Sequence, residues 1–452
     1  VQFRFDPSAD AGRARRKNGL LAALFLLALL AAFVLGANHF RKQYWPFGRQ
    51  YFALLEDRLS SLRKDPARTV RLQSVFAALD ARVYAIPLDD ALSPSGPFEV
   101  LSDSEFLFIG KCGDVVFASI EDRYAGALAA KASSHLDALV STGEAVPREP
   151  VHCEGNAGVK GSALRSGRLY VAMHVRDETS SGLQLVVREY RLADNRELRF
   201  QRELFRSFPP VQGEFREEFS GGKLALVGAG QLAVALGDSE QAALVQQDGN
   251  SMGKVFMIDL VAGTAREYTR GHRSPSGGLF YDAEARQLWL SEHGPKGGDE
   301  INLLAEGANY GWPVVSYGTV YPNDHEHYEQ YAGNWNNHEG FEKPKMSFVP
   351  SIGIGPIAVY PRGGEVDAWS GDLLVAGMRS MTLYRAHRSG DAITNVEPLL
   401  AGFRIRDIRL GRQGRLYLKT DDGRFIRTET AVIHRRGVAG HPVATIDSPP
   451  RR

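Results

Sequence analysis

The sequence is short of cysteine: Cys112 and Cys153 are the only two in 452 residues. Two cysteines exclude a disulfide scaffold and a four-cysteine zinc site. They leave two arrangements open, one bridge in an oxidising compartment or two separate buried thiols. An excess of one charge is also missing. Lys and Arg number 54 and Asp and Glu 53, a net charge of +1, so no strong field directs the chain to nucleic acid. Long helical patterns are few. Glycine is plentiful, at 47 residues, which suits an all-β domain rich in turns. The length allows one large domain or two smaller ones.

One long apolar run stands out. Gly19 to Ala37 reads GLLAALFLLALLAAFVLGA without a charge, close to the roughly 20 residues that span a bilayer. Arg13, Arg15, Arg16 and Lys17 precede it, and Arg41 and Lys42 follow. The positive-inside rule then favours a cytoplasmic N-terminus. The expectation is a cytoplasmic segment over residues 1–18 and a transmembrane helix over 19–38. The rest would lie on the periplasmic side of the inner membrane. A cleaved signal peptide, processed near Gly36 and Ala37, is the rival reading. Residues 39–90 read as a membrane-proximal linker with a helix, because Phe52, Leu55, Leu59 and Leu62 recur at roughly helical spacing.

A short phrase then recurs, in which a polar or turn residue leads into an apolar strand. Its copies are Glu105–Ile109, Gly167–Val171, Gly230–Val234, Arg286–Leu290, Gly371–Val375 and Gly414–Leu418. Second strands follow at Asp114–Ser119, Met252–Leu260 and Met381–Ala386. Six repeated sheet units predict a six-bladed β-propeller over residues 91–430, followed by a disordered tail over 431–452. The widest gap between copies holds an insertion, Val314–Met346, with Asp324, His325, His327 and His338. His-x-His offers two rings on one face of a strand for a transition metal. A solvated loop over the propeller face is the preferred reading.

Ser291 to Pro313, SEHGPKGGDEINLLAEGANYGWP, carries the most chemistry. Gly294, Gly297 and Gly298 let the backbone turn its carbonyls inward, and Asp299 and Glu300 add carboxylates. Carbonyls and carboxylates together suit Ca²⁺. The plain alternative is a solvated loop closed by a β-turn. Tyr310 and Trp312 around Gly311 argue for a packed loop.

The ordered run Glu-x-Gly-Pro (from Glu292), Asp-Glu-Ile-Asn (from Asp299) and Asn-Tyr-Gly-Trp-Pro (from Asn309) resembles the glucose/sorbosone dehydrogenase family. These soluble quinoproteins oxidise aldose sugars with pyrroloquinoline quinone (PQQ). The resemblance implies that the Gly294 and Pro295 carbonyls hold the cofactor's calcium, and that Glu300 and Tyr310 are ligands of a further, structural calcium. It implies PQQ contacts from Arg273 in Gly271-His272-Arg273-Ser274-Pro275, with Ser274 where the family has Asn. Arg404 and Arg406, in Arg404-Ile405-Arg406-Asp407, would pair with the cofactor's carboxylates. Arg379 stands at a family lysine, Ser351 at a hydroxyl donor, and Asn156 at a glutamine near sugar and quinone.

One departure is serious. The family's base histidine falls on Phe219, or on Glu218 if the alignment slips by one. Phenylalanine accepts no proton, so Glu218 is the substitute candidate, if burial raised its pKa. Two expectations follow. One is a membrane-anchored, PQQ- and calcium-dependent aldose dehydrogenase facing the periplasm. The other is a catalytically inactive, calcium-stabilised propeller that binds a glycan, a small ligand or a protein partner.

Overall fold

A computed structural model describes residues 68–75, 77–87, 96–122, 126–137, 149–213, 217–320 and 337–429. The apolar run 19–38, the Phe52–Leu62 spacing, Asp324, His325, His327 and residues 431–452 lie outside the described residues. Among the described residues no helix is long and apolar enough to cross a membrane.

The fold is an all-β, six-bladed propeller. Strands β1 (Arg68–Gln73) and β2 (Ala78–Ala85) come first in the chain and are taken up again below. The first complete blade is β3 (Phe98–Val100), β4 (Glu105–Ile109), β5 (Asp114–Ser119) and β6 (Ala129–His135). The next is β7 (Val159–Arg165), β8 (Arg168–Arg176), β9 (Leu183–Leu192) and β10 (Leu198–Arg206). Then come β11 (Gly221–Val227), β12 (Gln231–Leu236), β13 (Lys254–Asp259) and β14 (Ala265–Arg270). The fourth set is β15 (Ser274–Asp282), β16 (Gln287–His293), β17 (Asp299–Leu304) and β18 (Met346–Phe348). The fifth is β19 (Ile354–Val359), β20 (Leu373–Gly377), β21 (Thr382–Ser389) and β22 (Ala392–Ala401).

The last sheet holds β23 (Ile405–Leu410), β24 (Leu416–Thr420) and β25 (Arg424–Thr428), and β2 and β1 extend it beyond β25. The expected linker therefore ends earlier than the sequence suggested: residues 68–85 are part of the propeller. Pairing β2 with β25, from Ala81↔Thr428 to Ala85↔Arg424, closes the ring with strands from both ends of the domain. An aromatic cluster seals the joint with the first blade. Phe425 lies 4.5 Å from Phe106 and edge-on to Phe98 at 5.5 Å.

All six repeated phrases fall on the second strand of a blade, β4, β8, β12, β16, β20 and β24. These strands have sheet on both sides and packed blades on both faces. Their apolar runs, such as LYVAMHV in β8 and LLVAG in β20, are buried on both faces. The β7–β8 hairpin shows why turn residues precede the phrase. Ser166 and Gly167 both take left-handed φ, 52° and 72°, as a two-residue hairpin turn requires. The innermost strands β3, β7, β11, β15, β19 and β23 line the central channel.

Candidate functional site

In an antiparallel blade, the start of the first strand and the turn between the second and third lie at the same end. A cleft of about 680 Å³ is built from those segments. Asn156 precedes β7, Phe219 precedes β11, Arg273 precedes β15 and Ser351 precedes β19. Gly294 and Pro295 come from the β16–β17 turn, Arg379 from the β20–β21 turn, and Arg406 from the start of β23. Sequence-expected positions spread over some 250 residues thus converge on one cavity.

Arg273 is the organising side chain. It is buried, and its backbone N–H donates to Glu292 Oε2 at 2.8 Å. Its guanidinium donates to the Gly294 carbonyl at 2.9 Å and to the His293 carbonyl at 3.4 Å. It lies 4.5 Å from the Phe219 ring centre and 5.3 Å from that of Trp312. Phe219 therefore has a role of its own: it forms a cation–π face for the arginine. Trp312 is fixed in turn by Nε1 donating to Asp238 Oδ2 at 2.8 Å. Burial pushes the Asp238 carboxyl up to about 6, with Arg273 opposing the shift.

The acidic loop is packed, as its aromatics suggested. The turn from Gly294 to Gly298 is tight enough that a Cβ on Gly294 would sit 2.1 Å from the Gly298 carbonyl oxygen. Asp299 does not face solvent; it accepts from the Ile354 N–H at 2.9 Å and the Gly294 N–H at 3.3 Å. Burial would raise its pKa, but His293 and the Ile354 N–H hold it below the usual value. Behind the cleft, Glu292 and Glu300 share the amide of Asn302, whose Nδ2 donates to them at 2.9 and 3.2 Å. Glu292 also pairs with His272 Nδ1 at 2.9 Å, and the His272 ring stacks on Tyr310. Burial, then the charge of Glu292, raises Glu300 well above the carboxylate range. Among the described residues, the buried Asn302 Oδ1 meets no hydrogen-bond donor. Two carboxylates and an amide oxygen are the oxygen groups that could hold a hard cation. Tyr310 lines a small space that Glu292 and Glu300 also line, and its hydroxyl donates to the Leu303 carbonyl at 2.6 Å.

The structure redistributes three expectations. Arg404 does not line the cleft. It grips Asp421 at 2.6 Å and the Met378 carbonyl at 3.2 Å from outside, while Arg406 holds the other Asp421 oxygen and faces in. Glu218 lies in the short helical turn Glu217–Ser220, and its side chain is outside the described residues. The buried His338 stacks on Tyr317 at 4.2 Å, and no group of three or more His, Cys, Asp or Glu side chains among the described residues forms a metal cluster. Sequence reasoning passed over three lining lysines, Lys111, Lys160 and Lys223. Two of them adjoin a glycine on an innermost strand, Lys160-Gly161 and Gly222-Lys223, a pattern that was visible but carried no known motif.

The cysteine question resolves as one bridge. Cys112–Cys153 joins the β4–β5 turn to the loop before β7, 41 residues on. The segments it joins carry Lys111 and Asn156, and the Lys160 Nζ donates to the Asn156 carbonyl at 2.5 Å. Replacing both cysteines with serine is expected to cost about 2–4 kcal/mol of stability. Urea unfolding of the oxidised protein and the double variant measures it, and an unchanged midpoint would contradict the constraint.

Comparison with known proteins places this arrangement. A sequence model described as "Glucose / Sorbosone dehydrogenase" matches residues 98–427. Aldose sugar dehydrogenase YliI of Escherichia coli (strain K12) is 29% identical over 236 residues, which is 49% of this chain and 61% of that protein. The chain spans less than two thirds of the length of the curated relatives it matches. A solved structure titled glucose dehydrogenase superposes with a TM-score of 0.61 at 26% identity, covering 77% of this chain and 98% of that one. The PQQ-bound aldose sugar dehydrogenase of Streptomyces coelicolor, at 20% identity and a TM-score of 0.54, shares the fold over 77% of this chain and 98% of its own. By the extent of the match, this chain belongs to the glucose/sorbosone dehydrogenase family.

Proposed function

We propose that the protein is a PQQ- and calcium-dependent dehydrogenase that oxidises an aldose sugar at its anomeric carbon. One observation carries this reading: the charge of the cleft. Lys111, Lys160, Lys223, Arg273, Arg379 and Arg406 line it, against one carboxylate among the described residues, Asp299. Such a cavity suits a polyanion, and PQQ carries three carboxylates. Arg379 makes no side-chain hydrogen bond to a described residue, so its guanidinium is available for a bidentate carboxylate contact. Gly294 and Pro295 would hold the cofactor's calcium through their carbonyls, and Glu300 and Tyr310 the structural one. When bound, the quinone supplies a two-electron acceptor that calcium polarises. Asn156 and Ser351 would orient the sugar and cofactor from the rim.

The kinship with an aldose sugar dehydrogenase supports the substrate class. The disulfide supports an oxidising compartment. With the apolar run 19–38 as an anchor, the propeller would face the periplasm. Phe219 favours the second reading, a propeller that binds a glycan, small ligand or protein partner without chemistry. The deciding experiment titrates PQQ into the protein with excess Ca²⁺, then measures aldose-dependent dye reduction. Binding with turnover is the expected result. Binding without turnover would establish the inactive reading, and no binding would remove PQQ altogether.

A further inference from the structure

One of the six cationic side chains of the cleft, Lys223, is placed where it could do more than add charge. Lys223 lies on β11, four residues after Phe219. Between them, Gly221 and Gly222 take φ of 76° and 96°, and the pairing of β11 with β12 shifts register between Gly221 and Lys223. A bulge of this kind re-aims a side chain. Here it brings Lys223 to the wall of the cleft that Phe219 also lines. Lys223 also lines a second cavity of about 300 Å³ further along the channel. The two cavities share Lys223, Gly277 and Pro356, so the amine stands at the neck between them.

The surroundings hold Lys223 only loosely as an ammonium. Among the described residues its Nζ makes one hydrogen bond, to the Lys160 carbonyl at 3.0 Å. An ammonium has three protons to place. The facing charges are mostly cationic: Lys160 from β7, Arg273 beside β15, Arg406 and Arg409 from β23, and Lys419 from β24. The nearby carboxylates are already engaged. Asp407 accepts from Arg409 at 2.6 Å, Glu99 from Arg409 at 3.1 Å and Ser162 at 2.6 Å, and Asp421 from Arg404 and Arg406. Burial pushes the Lys223 amine down to about 8; Asp407 opposes the shift, and Arg409 and Arg406 add to it.

We infer that Lys223 is the proton acceptor for the sugar hydroxyl, standing in for the histidine that Phe219 replaces. The inference rests on the dehydrogenase reading above. The anomeric hydroxyl proton passes to the neutral Nζ. With a quinone bound as the two-electron acceptor, the C1 hydrogen would leave with its electron pair to it, and the C1–O bond would become the carbonyl of a lactone. The sugar loses two electrons and two protons' worth of hydrogen, one as hydride and one on the lysine. The ammonium then returns its proton to solvent, for which the second cavity offers an exit lined by Asp407 and Glu99.

The test uses the full chain with PQQ and Ca²⁺, as wild type, Lys223→Arg and Lys223→Met. Arginine keeps the positive charge but does not deprotonate. Both variants are expected to lose about 10²–10⁴-fold in kcat, with Lys223→Arg retaining wild-type PQQ affinity. Wild-type kcat should rise with pH, because the base is the deprotonated amine, with a midpoint at or above about 8 since the cofactor's carboxylates raise it. A second readout needs no activity. Competitive acetylation of the protein without cofactor, read by peptide mass spectrometry, should give Lys223 a midpoint near 8. Wild-type turnover that both variants retain, or a labelling midpoint at the ordinary lysine value, overturns the role of Lys223 alone. A wild type that binds no PQQ or oxidises no aldose overturns the dehydrogenase reading and this role with it.

Discussion

Arg273→Ala is expected to weaken PQQ binding by two to three orders of magnitude and to destabilise the protein more at alkaline than at acid pH. The first effect follows from burial. Arg273 is 4% exposed, and its guanidinium faces the Gly294 carbonyl and the rings of Phe219 and Trp312. Removing one partner of a buried charged pair costs about 3–5 kcal/mol, and each 1.4 kcal/mol is about tenfold in affinity. The second effect runs through Asp238. Its carboxyl is raised to about 6 in the folded protein from 3.8, so its contribution to stability is complete below pH 3.8 and is lost as pH rises through about 6. Arg273 is the main opposing charge, and without it the ionised Asp238 is less tolerated still. The stability deficit of Arg273→Ala should therefore be larger at pH 8 than at pH 5. Denaturant unfolding at both values measures it; an equal deficit would show that the two groups are not coupled. Dye reduction by the same variant checks the cofactor arm.

The sequence was legible where burial is two-sided. The second strand of each blade is covered on both faces, so its apolar run shows through, and all six copies of the repeated phrase marked one. The outer strands β1 and β2 were not legible. They alternate charged residues such as Arg71, Asp80 and Arg82 with buried ones, and no run emerges from RTVRLQ or ALDARVYA. Site residues followed the same logic. Arg273, Ser274, Ser351, Arg379 and Arg406 were found because each sits in a phrase that a family pattern carries, and all five line the cleft. Arg404 shared that phrase, but one carboxylate, Asp421, is gripped by both arginines, and only Arg406 faces inward. The lysines were missed because their function lies in where the innermost strands meet, and spacing along the chain does not encode that. Phe219 was read as a loss, since its partnership with Arg273 spans 54 residues and is visible only in space.

Glu300→Gln is expected to reverse its effect on stability with calcium. In chelator the variant should be at least as stable as wild type, because it removes a buried carboxyl whose ionisation burial, Glu292 and Asp299 all oppose. In excess Ca²⁺ wild type should be the more stable. A cation bound to Glu300, with the Asn302 oxygen and Glu292 behind it, would turn the like-charge penalty into attraction. At a hundredfold excess over its Kd, one bound calcium adds about 2.7 kcal/mol to the folded state, and the variant should forgo most of that. Thermal unfolding of both proteins in chelator and in calcium gives the four values needed. The crossing is what separates a metal site from a buried hydrogen-bonded acid: if Glu300 served as a protonated partner of Asn302, glutamine would substitute in both conditions, and the two curves would run parallel.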